Sequence, residues 1–332
     1  MKTGYKVESN LIHELIKTLE DNMSKYFKMI AVVLSLSILT ACAPAVKKEP
    51  VIVATMLDSE GGILGNMIIL MLESKGIKTE NKLYFGTPDI LRAALENDEV
   101  DLVVDYTGSG QYYHPADATD TSIWNDPEDG YAFTEKLDRE KKNLLWLTPA
   151  PANNTEMIAV KRDFALANGL ATMADLSTYI KAGKTFKLIA SASFIESNMG
   201  LLGYEEAYDF KLTNDQIISL SSGNTAEMLQ ALSLGTNGIN ASLVYGTDGA
   251  LDQLELIVLE DPKQIPPVYL PAPVIRKAVL DVYPKIREIL KPIFESLDLE
   301  TLQTLNAKVA YEGLDAKDVA KAYLIENKFL EK

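Results

Sequence analysis

The sequence predicts an α/β protein of two lobes, each built on a mixed or mostly parallel open sheet flanked by helices, with a ligand cleft between them. Three observations carry this prediction. Short apolar strands alternate with helices from Val51 onward, which is the pattern of sheets covered on both faces. Proline-rich junctions at 149–151 and 262–273 interrupt that alternation, dividing it into two units. Setting aside an N-terminal leader, roughly 290 residues remain, enough for two lobes of ordinary size. If the chain returns to its first unit after Pro262, the lobes comprise residues 51–152 with 262–332, and 153–261. The two crossings between them make the cleft the natural ligand site.

Each element has a local reason. Val51-Ile52-Val53-Ala54 is a short buried-type strand, and the strongly apolar segment Gly65 to Ser74 is a helix ended by Gly76. Lys82 to Tyr84 reads as a strand. Pro88 to Leu95 reads as a helix with proline in its first turn, where the missing N–H costs nothing; Thr87-Pro88-Asp89 is its start. Asp101 to Asp105 is a second buried strand before Thr107-Gly108. Past Pro149-Ala150-Pro151 the series resumes with a strand at Thr155 to Val160 and a helix at Met173 to Ala182, capped by Thr172. Phe186 to Ala190 is a strand, Leu201 to Tyr208 a helix, Ile217 to Leu220 a strand, Ala226 to Leu234 a helix and Ala241 to Val244 a strand. The last third reads as mostly helical: Leu299, Leu302, Leu305 and Val309 recur at three and four, and Asp315 to Glu326 follows Gly313. There is no internal repeat of fixed period and no low-complexity segment.

The N-terminal region has a separate character. Lys25 and Lys28 precede an apolar run from Met29 to Leu39 that is too short to span a bilayer as a helix, and the run ends in Leu39-Thr40-Ala41-Cys42, which holds the chain's only cysteine. The pattern resembles a bacterial lipobox, in which the cysteine thiol is acylated and becomes the new N-terminus. That implies a signal peptide over 23–41, lipidation at Cys42 and a tether over 42–50, whose Ala-Pro-Ala-Val-Lys-Lys-Glu-Pro run is small, proline-broken and charged. Residues 1–22 precede a good signal start at Met23 and read as an extra or misassigned extension. The protein is then expected outside the cytoplasm, held at a membrane by lipid.

Composition narrows the function. Hydrophobic residues make up 47% and charged residues 24%, as in an ordinary globular protein. The leader carries five lysines against four acids, so the remainder is one unit more negative than the −15 of the whole chain. Such a surface repels nucleic acid and anionic headgroups. One cysteine permits no internal disulfide. The histidines, His13 and His114, lie in the leader and a loop-like stretch, so zinc sites and histidine-based catalysis lack their usual residues and no cofactor or metal is implied.

Six segments carry a specific likeness: Asp58 to Gly61, Asp105-Tyr106-Thr107-Gly108-Ser109, Pro149 to Thr155, Ala190 to Glu196, Tyr245 to Gly249 and Pro267 to Pro273. In this order they resemble the substrate-binding proteins of ABC importers for glycine betaine, choline and related osmoprotectants. The resemblance implies a two-lobed periplasmic-binding-protein-like fold of type II, an ABC permease and its ATPase as partners, and a quaternary ammonium ligand gripped by aromatic rings. A trimethylammonium group has no N–H to donate, whereas the negative faces of tyrosine rings attract it by about 0.5–2 kcal/mol each.

By position in those motifs, the cage falls on Tyr106, Tyr245 and Tyr269, with Glu156 at a fourth, usually aromatic, position. Where betaine binders of the family place a lysine and an arginine on the ligand carboxylate, this chain has Met56 and Ser197. Two cations are missing and an anion has appeared, which favours a cationic ligand without a carboxylate. Ser109, Asn153, Asn154 and Thr155 are candidates for neutral hydrogen bonds to the ligand. Two other readings stay open at this level: a sensing or adhesion lipoprotein of the same fold, and an enzyme using Asp58, Glu60, Asp105 or Asp248 as acid and base, for which no nucleophile, phosphate loop or metal set is present.

Overall fold

The computed structural model describes residue 23 and residues 49–331, apart from 119, 222 and 252. The extension at 1–22, almost all of the signal segment, Cys42 and most of the tether lie outside the described residues. Ten strands are described: β1 (Val51–Met56), β2 (Thr79–Gly86), β3 (Leu102–Tyr106), β4 (Leu144–Trp146), β5 (Glu156–Lys161), β6 (Leu188–Ser191), β7 (Ile217–Leu220), β8 (Ala241–Tyr245), β9 (Leu256–Val258) and β10 (Pro271–Arg276). They form two five-stranded sheets, ordered β2-β1-β3-β10-β4 and β7-β6-β8-β5-β9.

The two sheets share one topology. In each, the first three strands pair in parallel and the fourth pairs antiparallel with both its neighbours. The antiparallel strands are β10, which follows the second sheet in sequence but joins the first, and β5, which follows the first and joins the second. Each crossing therefore delivers a reversed strand into the far sheet. Both sheets are mixed for this reason, which is one of the two arrangements the sequence predicts.

Between β1 and β4 come helices α1 (Ser59–Ser74), α2 (Pro88–Glu96), α3 (Gly110–Tyr113) and α4 (Pro127–Lys142). Between β5 and β10 come α5 (Arg162–Asn168), α6 (Met173–Lys181), α7 (Ala192–Glu196), α8 (Leu201–Tyr208) and α9 (Thr225–Leu234), and after β10 come α10 (Lys277–Val282), α11 (Ile286–Glu295), α12 (Leu299–Ala310) and α13 (Ala316–Glu326). Among the described residues no helix is long and apolar enough to cross a membrane.

Helix α1 begins six residues before the apolar run predicts, because Asp58 caps it by accepting a 2.5 Å hydrogen bond from the Gly61 N–H. Its apolar side chains fill the first core with Phe294, Leu302 and Leu324 from the C-terminal helices. Gly62 and Gly65 let this helix lie close to β2: a Cβ at either would run into the side chain of Tyr84 or Leu83. A second core lies around Ile158, Leu188, Phe194 and Leu243, and a third, smaller one joins Leu91, Val103, Trp146 and Val274.

Hydrophobic patterning does not predict α4, because the residues it buries are Gly130, Thr134 and Asp138, an inward stripe at helical spacing with no large apolar member. Capping chemistry does mark it: Asp126 accepts from the Glu128 and Asp129 N–H groups, and Pro127 occupies the first turn. Strand β10 is masked by its two prolines, which argue against a central strand. Pro271 and Pro273 serve as acceptors instead, their carbonyls taking the N–H groups of Ala150 and Leu147 at 2.9 and 2.8 Å. His114 follows α3 and is buried, its Nε2 2.8 Å from Asp138 Oδ1, so it belongs to the interior and not to a loop surface.

Candidate functional site

The site is assembled where strand ends and crossover segments meet. Glu156 opens β5 and Tyr245 closes β8, and the two are register partners in that antiparallel pair. Opposed residues project from one face with Cβ atoms about 5 Å apart, so carboxylate and ring stand side by side. Asp248 fixes the end of β8 by accepting from the Tyr245 N–H at 2.7 Å and from Thr225 Oγ1 at 2.6 Å.

Tyr269 comes from the second crossover, which is tied to the first along its length. The Tyr269 N–H donates to Asn153 Oδ1 at 2.9 Å, the Asn154 N–H donates to the Tyr269 carbonyl at 2.8 Å, and Thr155 Oγ1 donates to the Pro267 carbonyl at 2.7 Å. The ring lies over Gly108, where a Cβ would sit 2.7 Å from it, so only a glycine admits this approach. Its hydroxyl accepts from Gln111 Nε2 at 2.7 Å.

Glu156 is 8% exposed, and its Oε2 has no hydrogen-bond partner. Burial pushes its carboxyl pKa up to about 7. Burial first, and then the Glu156 charge, raise the hydroxyl pKa of both Tyr245 and Tyr269 well above the usual phenol range. Both rings are therefore neutral at physiological pH. A cavity of about 350 Å³ opens beside the crossovers, with Glu156, Asn153, Thr155, Tyr204, Asp261 and Val268 among its lining residues.

Tyr106 ends β3 and belongs to an adjoining buried network. Its hydroxyl donates to Glu60 Oε1 at 2.7 Å; Asn306 Nδ2 donates to Glu60 Oε2 at 2.7 Å and also reaches the Thr247 carbonyl at 3.0 Å. Thr247 Oγ1 in turn donates to Asn154 Oδ1 at 2.8 Å. Residues beside both sheets, Tyr106 at the end of β3 and Thr247 just past β8, are joined here through Glu60 and Asn306. Burial chiefly raises the Glu60 carboxyl to about 7 and that of Asp248 to about 6. The Asp58 carboxyl is also raised, mainly by burial. With Glu156 these make four buried carboxyl groups, and the hydrogen bonds described for them involve no lysine or arginine, which suits a cation and disfavours an anion.

The remaining predicted residues divide. Asn154 and Thr155 lie in the first crossover, bonded as described. Ser197 caps α7, half-buried, and its Oγ accepts from the Met199 N–H at 3.1 Å. Met56 ends β1 and packs against the small core of Leu91 and Val103. Ser109 is buried in the short turn that follows β3. Asp105, a candidate acid in the enzyme reading, accepts from the Tyr106 N–H at 2.7 Å and Tyr113 Oη at 2.8 Å, and Arg92 faces it. Tyr112 is a residue that motif reasoning misses: it stands half exposed on α3, next to Gln111, whose Nε2 donates to the Tyr269 hydroxyl, and burial first, then the Glu156 charge, raise its hydroxyl pKa. The one signal in sequence is the adjacent pair Tyr112-Tyr113, just past the Tyr106 motif. Among the described residues no group of three or more His, Cys, Asp or Glu is placed to hold a metal ion.

Two sheets of one topology, two crossovers and a buried polar cleft define a bilobal substrate-binding protein. Over residues 49–326 the chain matches the family described as the substrate binding domain of ABC-type glycine betaine transport system, OpuAC, and it belongs to that family. It is 48% identical over 281 residues, 85% of this chain and 92% of the relative, to the glycine betaine-binding protein YehZ of Escherichia coli. It is 32% identical over 281 residues, 82% of this chain and 86% of the relative, to a glycine-betaine-binding protein of Pseudomonas aeruginosa. The solved apo YehZ from E. coli matches with a TM-score of 0.66 at 47% identity, covering 85% of this chain and 100% of that one. A structure described as a glycine betaine/carnitine/choline ABC transporter gives 0.68 at 22% identity, covering 84% and 99%, which is a likeness of fold. The chain is the substrate-binding component of an ABC-type transport system, in a family of extracytoplasmic receptors.

Proposed function

We propose that this protein takes up a small quaternary ammonium cation without a carboxylate, of the choline class, and delivers it to an ABC permease with its ATPase. The observation that carries this reading is the buried carboxylate of Glu156, with one oxygen unpartnered, flanked by the rings of Tyr245 and Tyr269. A unit-charge pair at 4 Å and an effective dielectric near 20 is worth about 4 kcal/mol before desolvation, more than the about 0.5–2 kcal/mol of one ring. A ligand carboxylate would meet repulsion there instead. Tyr106 is assigned to the lobe-1 wall of the same cleft, with Asn154 and Thr155 as neutral hydrogen-bonding neighbours. Lobe closure over the cation, about hinges in the two crossovers, would present the loaded form to the permease. The lobes are assigned to 51–152 with 262–332, and to 153–261.

The relatives named for glycine betaine supply the competing expectation, so calorimetry with choline and glycine betaine on the same preparation decides. Choline is expected to bind at least tenfold more tightly; tighter betaine binding would sink the assignment. Tyr106→Ala and Tyr245→Ala are each expected to weaken choline binding by more than tenfold, and an unchanged affinity would remove that residue from the site.

Anchoring belongs to the same proposal. The Leu39-Thr40-Ala41-Cys42 sequence supports acylation at Cys42. Cys42→Ser is expected to end incorporation of labelled fatty acid and to move the protein from the membrane fraction to the soluble one. Retained label in that variant would refute the anchor.

A further inference from the structure

Helix α12 touches both halves of the molecule. Its Leu302, Leu305 and Ala307 sit in the first core with α1, while Tyr311, the residue after it, packs against the second core. Between those contacts the helix is seated on the turn that follows β8. Gln303 Nε2 donates to the Gly246 carbonyl at 2.8 Å, and Asn306 Nδ2 to the Thr247 carbonyl at 3.0 Å. A Cβ at Gly249 would lie 1.8 Å from the Gln303 carbonyl oxygen and 2.8 Å from Ala307 Cβ, so turn and helix backbones touch with no room for a side chain. The same turn rests on the first crossover: the Gly246 N–H donates to the Thr155 carbonyl at 3.0 Å, and a Cβ at Gly246 would lie 2.1 Å from the Asn153 carbonyl oxygen. Helix, turn and crossover therefore meet at one place, which a rotation about the crossovers moves least. Asn306 carries the seat further, donating also to Glu60 Oε2 at 2.7 Å at the start of α1. It is 7% exposed and its Oδ1 has no partner, so what this side chain supplies is its two donated bonds, at a cost an apolar residue would avoid.

Given the bilobal receptor reading above, and whichever cation it takes, we propose that α12 is the fulcrum of lobe closure. Its seat on the 246–249 turn is a third, non-covalent connection beside the two crossovers, and it sets the angle at which the ligand-free lobes stand. Gln303 and Asn306 are positioning residues: they act through the turn, which continues directly from Tyr245 at the end of β8. With the seat intact, closure starts from one narrow range of angles. With it loosened, the ligand-free protein spreads over more angles, and apparent affinity falls with the fraction that remains competent to close.

The test uses the full chain with Cys42→Ser, which leaves no other cysteine, and spin labels on Glu128→Cys of α4 and Glu227→Cys of α9, both exposed positions. Gln303→Met, Asn306→Leu, their combination and Gly249→Ala are compared with that parent. Without ligand, the combined variant is expected to give a label-to-label distance distribution about twice as wide as the parent's, with each single variant in between. Saturating choline, or glycine betaine if choline does not bind, should bring parent and variant to the same narrow distance, because no ligand contact has been removed. The affinity of the combined variant should be about tenfold weaker, in proportion to the lost fraction of closure-competent protein. Gly249→Ala should widen the distribution further; if it does not fold, the Gln303 and Asn306 variants still decide. A lowered melting temperature with an unchanged ligand-free distribution would make the seat merely structural and overturn the fulcrum. If neither probe binds the parent, the ligand reading falls, and the ligand-free distributions test the fulcrum without it.

Discussion

Glu156→Gln is expected to remove most of the pH dependence of cation binding. In the ligand-free protein burial holds the Glu156 carboxyl near 7, so at pH 5 it is largely protonated and at pH 8 largely ionised. A bound cation favours the ionised form, so its affinity rises with pH through the free-state value. Two units below that value cost about 2.7 kcal/mol, so choline should bind roughly a hundredfold more weakly at pH 5 than at pH 8. Glu60 and Asp248 titrate nearby at about 7 and about 6, and the difference between wild type and Glu156→Gln isolates the one carboxyl. A variant whose affinity follows the wild-type profile would show that Glu156 does not face the ligand.

The same group makes a stability prediction with a definite sign. A carboxyl whose folded-state pKa is raised binds its proton more tightly in the native state, so its contribution is most favourable below the ordinary value of 4.5 and is lost as pH climbs to about 7. Ligand-free Glu156→Gln should therefore be more stable than wild type at pH 8 by about 1–3 kcal/mol, and the two should converge near pH 4. Paired thermal denaturation at both pH values measures this.

Asp138→Ala is expected to cost more stability than any surface change, about 3–5 kcal/mol, because it strands a buried cation. Asp138 is fully buried, and its carboxylate accepts from Arg92 Nη2 at 2.6 Å, Arg92 Nη1 at 2.8 Å and Trp146 Nε1 at 2.7 Å, with His114 Nε2 at 2.8 Å. Burial works against the charge, but the bonds and charge of Arg92, helped by Trp146 and His114, outweigh it and hold the Asp138 carboxyl below its ordinary range. Arg92, 6% exposed, also bonds Glu96 at 2.7 Å and lies 4.0 Å from the Tyr113 ring centre. The melting temperature should drop on the order of 10 °C. Replacing both partners with apolar residues, Arg92→Met with Asp138→Leu, should cost less than Asp138→Ala, since no unpaired charge is then buried. A double variant at least as unstable as the single one would contradict this account.

Legibility differed between elements for physical reasons. β1, β3, β8 and the cap of α6 at Thr172 were readable because burial of a strand or the capping box of a helix is a local property of consecutive residues. The hidden elements were those whose inward faces are polar or proline-bearing, α4 and β10. Among candidate site residues, Glu156 and Tyr245 are brought opposite each other by strand register, while Met56 packs against a hydrophobic cluster.

The amino-acid order determined the alternation of strands and helices, the proline junctions, the acidic balance and the motif tyrosines, because each is written in side-chain type and near-neighbour spacing. Tertiary structure decided which strands reverse, that Glu156 stands opposite Tyr245 across 89 positions of chain, and that Asn153 and Thr155 meet Tyr269 and Pro267 of the second crossover. Pairings of that kind depend on strand register and on where two crossovers bring distant backbone together, and no local pattern encodes them.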